Sequence, residues 1–315
     1  MKLIRNLDDL PGDLRGGAVT IGNFDGVHLG HARIVERLLR QAERTGGAAL
    51  VFTFDPHPSQ ILRPAQAPTP LSWSERKAEL LAELGADALV AYPTDRDFLS
   101  LDAEAFFDRI VRTRLGARAM VEGPNFLFGR NRQGDIRLLG ELCRRSGVEL
   151  EVVAPVRLDG RIVSSSRIRE LLAAGHVEAA RQMLLQPHRI RGRVVRGAAR
   201  GTKLGYPTAN VEPADVLLPA EGIYAGRAVA DGSPWPAAVN IGPNPTFGDA
   251  RRKVEVYLVG YEGSLYERTI EVDFLARLRD IIRFDSVDAL VAQMARDVAL
   301  TRDIVARFDR EGALS

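Results

Sequence analysis

Cysteine is almost absent from this chain. A single residue, Cys143, excludes an internal disulfide and any cysteine-built zinc site. It lies among Leu138, Leu139 and Leu142 in a helical pattern, which predicts a buried structural thiol. Lysine is nearly as scarce, with Lys2, Lys77, Lys203 and Lys253 alone among 43 basic residues. The formal net charge is only +2, which gives no strong bias towards nucleic acid or an anionic membrane. No apolar run approaches the length that spans a bilayer, and the N-terminal residues lack a signal peptide's apolar core. A cytoplasmic location is the expectation. Internal repeats and low-complexity tracts are missing too. Histidine numbers five, and two of the five fall within four residues of each other, at His28 and His31.

What is present is ordinary globular material, 45% hydrophobic and 27% charged over 315 residues, which suits two domains better than one. The first half alternates apolar runs with helical patterns. Strands are predicted at 18–21, 48–54, 88–92, 119–122 and 150–153. Helices are predicted at 34–39, 74–84 with Ser74 as N-cap, and 102–115, with another between the last two strands. A Pro-rich loop fills 56–70. Strand–helix alternation of this kind predicts a parallel sheet with helices on both faces, and ligands bind beyond the carboxyl ends of such strands. Two further helices, near 166–174 and 177–185, precede a change of texture. Short alternating strands at 189–195, 222–229, 237–241, 253–258 and 269–274 then predict a small antiparallel barrel. Residues 286–308 close the chain as one long helix or two short ones, capped by Ser286. The expected domains are 1–185 and 186–315.

The segment Gly22-Asn23-Phe24-Asp25-Gly26-Val27-His28-Leu29-Gly30-His31 joins the first of these strands to a helix. Glycines let backbone approach a ligand, and N–H groups at a helix start attract anions. Two imidazoles there add donors for phosphoryl oxygens. His-x-Gly-His so placed resembles the signature of the nucleotidylyltransferase superfamily. Phe52-Thr53-Phe54-Asp55-Pro56-His57-Pro58, Gly123-Pro124-Asn125-Phe126-Leu127-Phe128-Gly129 and Ser164-Ser165-Ser166-Arg167-Ile168-Arg169 follow in order. Behind them come Gly201-Thr202-Lys203-Leu204-Gly205-Tyr206-Pro207-Thr208-Ala209-Asn210 and Asn240-Ile241-Gly242-x-x-Pro245-Thr246-Phe247. Together these six segments resemble the bifunctional prokaryotic riboflavin kinase/FAD synthetase family, from about Gly17 to Ala306.

The resemblance implies a Rossmann-like nucleotidylyltransferase domain followed by a riboflavin kinase-like barrel with a terminal helix. It implies two reactions: ATP-dependent phosphorylation of riboflavin to FMN in the barrel, and adenylylation of FMN to FAD, releasing pyrophosphate, in the first domain. His28 and His31 would contact the ATP phosphates, and backbone from Gly22 to Phe24 would line the adenosine site. Ser164, Ser165 and Arg167 would bind the β- and γ-phosphates, although a serine run is also a plain helix cap. Asn125 would orient flavin or nucleotide, and Phe126 and Phe128 are packing or stacking surfaces. Asp55 is either a flavin contact or a loop-capping carboxylate. In the barrel, Gly201 and Lys203 would lie near the nucleotide, and Thr208 and Asn210 would hold Mg²⁺ brought by ATP. Glu255 would take the proton from the ribityl hydroxyl, on one strand face with Lys253 and Tyr257. An exposed strand glutamate is the alternative there. Arg279 and Phe284 would close over the flavin. Flavins and ATP are then substrates and products, and no tightly bound prosthetic group, nucleic acid or membrane is implied.

Three positions depart from the family pattern: Leu185 at the junction, Glu267 in place of a turn glycine, and Ile281 in place of an acidic residue. They keep open an FAD synthetase with a degraded kinase domain. A nucleic-acid-binding barrel, using Arg181, Arg189, Arg191, Arg193, Arg196 and Arg200, is the remote reading. The pattern is silent on oligomeric state.

Overall fold

The computed structural model describes residues 1–197, 200–244 and 249–312. They form two compact units, Met1–Pro68 with Trp73–Ser164, and Thr69–Ser72 with Ser165–Ser315.

The first unit is built on six parallel strands: β1 (Lys2–Ile4), β2 (Ala18–Ile21), β3 (Ala49–Asp55), β4 (Ala88–Pro93), β5 (Ala119–Glu122) and β6 (Glu149–Val152), in the order β1-β4-β3-β2-β5-β6. Every residue of β2 is buried, as a central strand covered on both faces requires. Helix α1 (Leu29–Thr45) follows β2 and ends at Gly46, whose φ of 64° closes it in the left-handed conformation. Leu38, Leu50, Phe52, Leu89, Phe107 and Met120 are among the fully buried side chains. The sheet order changes direction between β2 and β5, since β3 lies on one side of β2 and β5 on the other. A cleft at the carboxyl ends is expected at such a point.

The segment expected as a Pro-rich loop contains a short helix, α2 (Pro58–Leu62), and a 3₁₀ turn at Pro64–Gln66. Proline is well placed at both starts, where its missing N–H has no helical partner. Helix α3 spans Ser74–Glu83, and its N-cap is Trp73 rather than Ser74. The Ser74 hydroxyl instead donates to Asp55 at 2.6 Å. After α4 (Arg96–Leu99) the predicted 102–115 helix is capped by Asp102. It runs as one α-helical stretch, α5 (Ala103–Phe106), and then as a π-helix over Phe107–Arg114. Helix α6 (Ile136–Ser146) carries Cys143, 1% exposed, its thiol pushed up to about 11 chiefly by burial. Strand β1 and the hairpin of β7 (Arg157–Leu158) and β8 (Arg161–Ile162) had no signal in the pattern, being two or three residues long.

The second unit begins with α7 (Ser165–Ala173) and α8 (Val177–Met183). Its six strands close into an antiparallel barrel: β9 (Arg189–Val195), β10 (Ala209–Ala214), β11 (Gly222–Ala230), β12 (Ser233–Asn244), β13 (Asp249–Leu258) and β14 (Thr269–Arg279), in the order β10-β13-β12-β11-β14-β9. Strand β10 adds to the five expected. Pro207 just before it and Pro213 within it read as turn residues, which hides the strand in the sequence. A one-turn helix α9 (Arg200–Lys203) precedes it. Helix α10 (Val287–Gly312) is one continuous helix, with the Ala289 N–H donated to the Ser286 hydroxyl at 3.1 Å. The Pro245-Thr246-Phe247 part of the last motif and the side chains of Arg200 and Lys203 lie outside the described residues. Among the described residues no helix is long and apolar enough to cross a membrane.

Two candidate active sites

His28 is the N-cap of α1. Its Nδ1 accepts the backbone N–H groups of Gly30 and His31 at 3.1 and 3.4 Å, while His31 Nδ1 accepts the His28 N–H at 3.2 Å. The amides expected to face an anion are thus satisfied by imidazole. This reciprocal arrangement puts the ring proton on Nε2 in both residues, so each presents an N–H donor. The rings stack with centroids 3.7 Å apart. Burial lowers the His28 pKa to about 4, and burial together with the neighbouring His28 and Lys77 charges holds His31 well below its usual value. Both are neutral donors at neutral pH. Gly30 is needed here, because a Cβ would lie 3.0 Å from His28 Cε1.

The preceding loop is held in a costly shape. Phe24 and Val27 have φ of 45° and 36°, and Val27 is β-branched, for which this region is a genuine outlier. Burying both side chains, 2% and 0% exposed, keeps them there. Around this loop is a cavity of about 300 Å³ lined by Gly22, Phe24, His28, His31, Asn125 and Ser164, among others. Phe126 also lines it and stacks on Phe128, 5.4 Å away, which is buried in the core. Asp55 is not among the lining residues. It takes the Ser74 hydroxyl and pairs with Arg5 at 3.3 Å. His57 accepts the Ser59 N–H at 3.0 Å and caps α2. Ser165 and Arg167 stand on α7 in the second unit, where Arg167 pairs with Glu170 at 2.9 Å. The polar lining residues passed over in the sequence include Thr20, on β2, and Glu122, buried at the end of β5. A carboxylate ending an apolar strand was the available signal for the second.

The barrel holds a second cavity, about 150 Å³, whose lining includes Gly201, Thr208, Asn210, Glu255 and Arg279. Register explains the grouping. Asn210 on β10 and Asn240 on β12 both stand directly opposite Glu255 on β13. Directly opposed residues share a face at Cβ separations of about 5 Å. Lys253 and Tyr257 line the cavity with Glu255, and Val254, Val256 and Leu258 are buried, as alternation predicted. Close packing fixes the Thr208–Asn210 segment. A Cβ on Gly197 would sit 2.0 Å from Asn210 Nδ2, and one on Gly201 would sit 3.1 Å from Thr208 Oγ1.

Sequence reasoning missed Asn240, although it stands in a quoted motif, and the contribution of α10. Leu290, Met294 and Val298 line one wall at helical spacing. Asp297, beside them, receives Arg279 through Nη2 at 2.7 Å and Nε at 3.0 Å, and Gln293 donates to it at 2.8 Å. Phe284 lies 5.7 Å from the Arg279 guanidinium and outside the lining set. Glu267 has φ of 66° and pairs with Arg193, so the conformation that suits glycine is kept by a glutamate. Ile281 covers Gly242, where a Cβ would meet its Cδ1 at 2.3 Å.

Comparison with known proteins agrees with this division. The family described as FAD synthetase matches residues 11–167, and that described as riboflavin kinase matches 184–305. A bifunctional riboflavin kinase/FMN adenylyltransferase of Pseudomonas fluorescens is 38% identical, covering 97% of this chain and 98% of its own. The protein of that name from Escherichia coli K12 is 34% identical over 96% of this chain and 97% of its own. A solved structure from Streptococcus pneumoniae, described as a macrolide-efflux protein, superposes with a TM-score of 0.83 at 29% identity, covering 96% of this chain and 98% of that one. With two cavities in two units, each under its own family match, this chain belongs to the family of bifunctional riboflavin kinase/FMN adenylyltransferases.

Proposed function

We propose that this chain makes FAD from riboflavin in two ATP-dependent steps, with residues 186–315 producing FMN and residues 1–185 adenylylating it. The observation that carries this reading is the row Asn210–Glu255–Asn240 across one barrel cavity, together with the stacked His28–His31 donors in the other.

In the kinase step the ribityl hydroxyl of riboflavin attacks the γ-phosphorus of ATP, and Glu255 accepts the hydroxyl proton. The Thr208 hydroxyl and the Asn210 amide oxygen are hard donors on a closely packed segment, and they fit the magnesium ion of MgATP. When bound there, the ion would neutralise charge on the transferred phosphoryl group. Gly201 and Lys203 border the nucleotide. Asp297 and Phe284 orient Arg279 towards the flavin side of the cavity.

In the second step an FMN phosphate oxygen attacks the α-phosphorus of ATP in line, and pyrophosphate leaves. Neutral Nε2–H groups of His28 and His31 donate to the phosphates as charge builds, and their fixed stacking needs no reorganisation. Asn125 orients a ring, backbone at Gly22 and Phe24 borders the adenosine, and Ser164, which lines the cavity, takes the outer phosphates. Asp55, held by Ser74 and Arg5, fits the loop-capping alternative better than a flavin contact. Since MgATP and flavins are the substrates, the reaction is placed in the cytoplasm. Of the arginines in the cluster at the barrel's start, Arg189 is held by Asp273 at 2.6 Å, Arg191 by Asp215 at 3.0 Å and Arg193 by Glu267, which favours the enzymatic reading over a nucleic-acid-binding one.

Chromatography of the products formed with MgATP, starting from riboflavin and separately from FMN, tests the reading. FMN followed by FAD is the expected result. FAD from FMN alone would mean a barrel without kinase chemistry, and no product from either start overturns the proposal.

A further inference from the structure

Strands β2 and β5 pair only through Ala18 with Ala119 and Val19 with Met120, after which the ladder stops. The N–H of Ile21, beyond the fork, is taken at 2.7 Å by Glu122 Oε1. A carboxyl group therefore stands where the strands separate, at the point where the sheet order reverses and ligands are expected. Glu122 is 2% exposed and lines the cavity beside Thr20, whose Oγ1 is buried without a hydrogen-bond partner. The mechanism above uses neither residue.

We propose that Glu122 reads the purine ring of the nucleotide bound in this cleft, holding the Ile21 N–H with one carboxyl oxygen and presenting the other to a ring nitrogen. The inference rests on the adenylyltransferase reading of this cavity and names the residue that recognises the base. Burial drives the Glu122 pKa well above the usual carboxylate range, against the weaker pull of the Ile21 N–H. The titratable groups facing it are the Cys143 thiol on α6 and the neutral imidazoles of His28 and His31 on α1. Among the described residues, no lysine or arginine lines the cavity. A neutral carboxyl has one acceptor oxygen and one O–H donor, and the acceptor is occupied by Ile21. The O–H is thus left for an acceptor, which purine ring nitrogens supply. Val153, Ala154 and Pro155 give the same cavity apolar lining, and His28 and His31 give it donors for phosphate.

The test measures KM for ATP and for its 1-, 3- and 7-deaza analogues in FMN adenylylation by the full chain. For the native protein one analogue should show a KM raised roughly tenfold, the loss of one hydrogen bond. Glu122→Val, β-branched to suit the strand, should raise KM for ATP by a similar factor and no longer distinguish that analogue, with kcat kept. A purely structural role would weaken ATP and all analogues alike. Glu122→Gln, which keeps an acceptor for Ile21 and offers an N–H, should retain the penalty. Equal KM values for all four nucleotides, or a penalty that survives in Glu122→Val, overturn the inference while leaving the adenylyltransferase reading intact. If the valine variant fails to fold, loss of the penalty in Glu122→Gln overturns it instead. Absence of FAD from FMN with the native protein overturns both.

Discussion

At the scale of single residues, the side chains that matter have their protonation set by burial and by backbone partners. Glu255 is the clearest test of chemistry. Glu255→Gln keeps the volume and removes the base, so riboflavin phosphorylation should fall by about 10²- to 10⁴-fold while FMN adenylylation is unchanged, measured by product chromatography. His28 makes a prediction about stability. Its pKa is about 4 in the fold against an ordinary 6.5, so the unfolded chain binds more protons between these values. The stability contributed by neutral His28 is complete above pH 6.5 and is lost as pH falls through 4. It amounts to about 3 kcal/mol. Urea unfolding at pH 7 and pH 4 should show that loss in the native chain. His28→Asn, which can still cap α1, should show correspondingly less acid sensitivity and a strongly reduced rate of FAD formation.

At the scale of elements, the local signals were legible where a rule has a strong physical basis. Ser286 as an N-cap and the alternation along β13 both followed from residue type and spacing. Misreadings occurred where tertiary contacts outweigh local preference. Ser74 looks like a cap, but Asp55, 19 residues earlier, takes its hydroxyl and the helix starts a residue sooner. Strand β10 reads as a proline turn until β9 and β13 pair with it on both sides. The turn at Glu267 gives a prediction at this scale. With φ of 66°, Glu267→Gly should be more stable than Glu267→Ala by about 1 kcal/mol in thermal unfolding, since both lose the Arg193 ion pair and only glycine escapes the left-handed strain. Equal stability would contradict the strain argument.

At the scale of the whole molecule, each cavity is lined by residues of one unit, so the two chemistries should separate by mutation. A mixture of Glu255→Gln and His28→Asn proteins should make FAD from riboflavin with MgATP much faster than either variant alone, because FMN released by one chain can bind another. No gain in the mixture would mean that FMN never leaves the chain that makes it. The division into a parallel α/β half and an antiparallel barrel could be read from the sequence, and the motifs pointed to His28, His31, Thr208, Asn210 and Glu255, which line the two cavities. Apolar periodicity and short motifs are local properties and survive without coordinates. Folding alone decided that Asn240 stands opposite Glu255, that Asp297 holds Arg279 from α10, and that the Glu122 carboxyl replaces a ladder bond at the β2–β5 fork. Each joins strands or helices distant in sequence, and strand register and burial, which set those meetings, are fixed only when the sheet and barrel close.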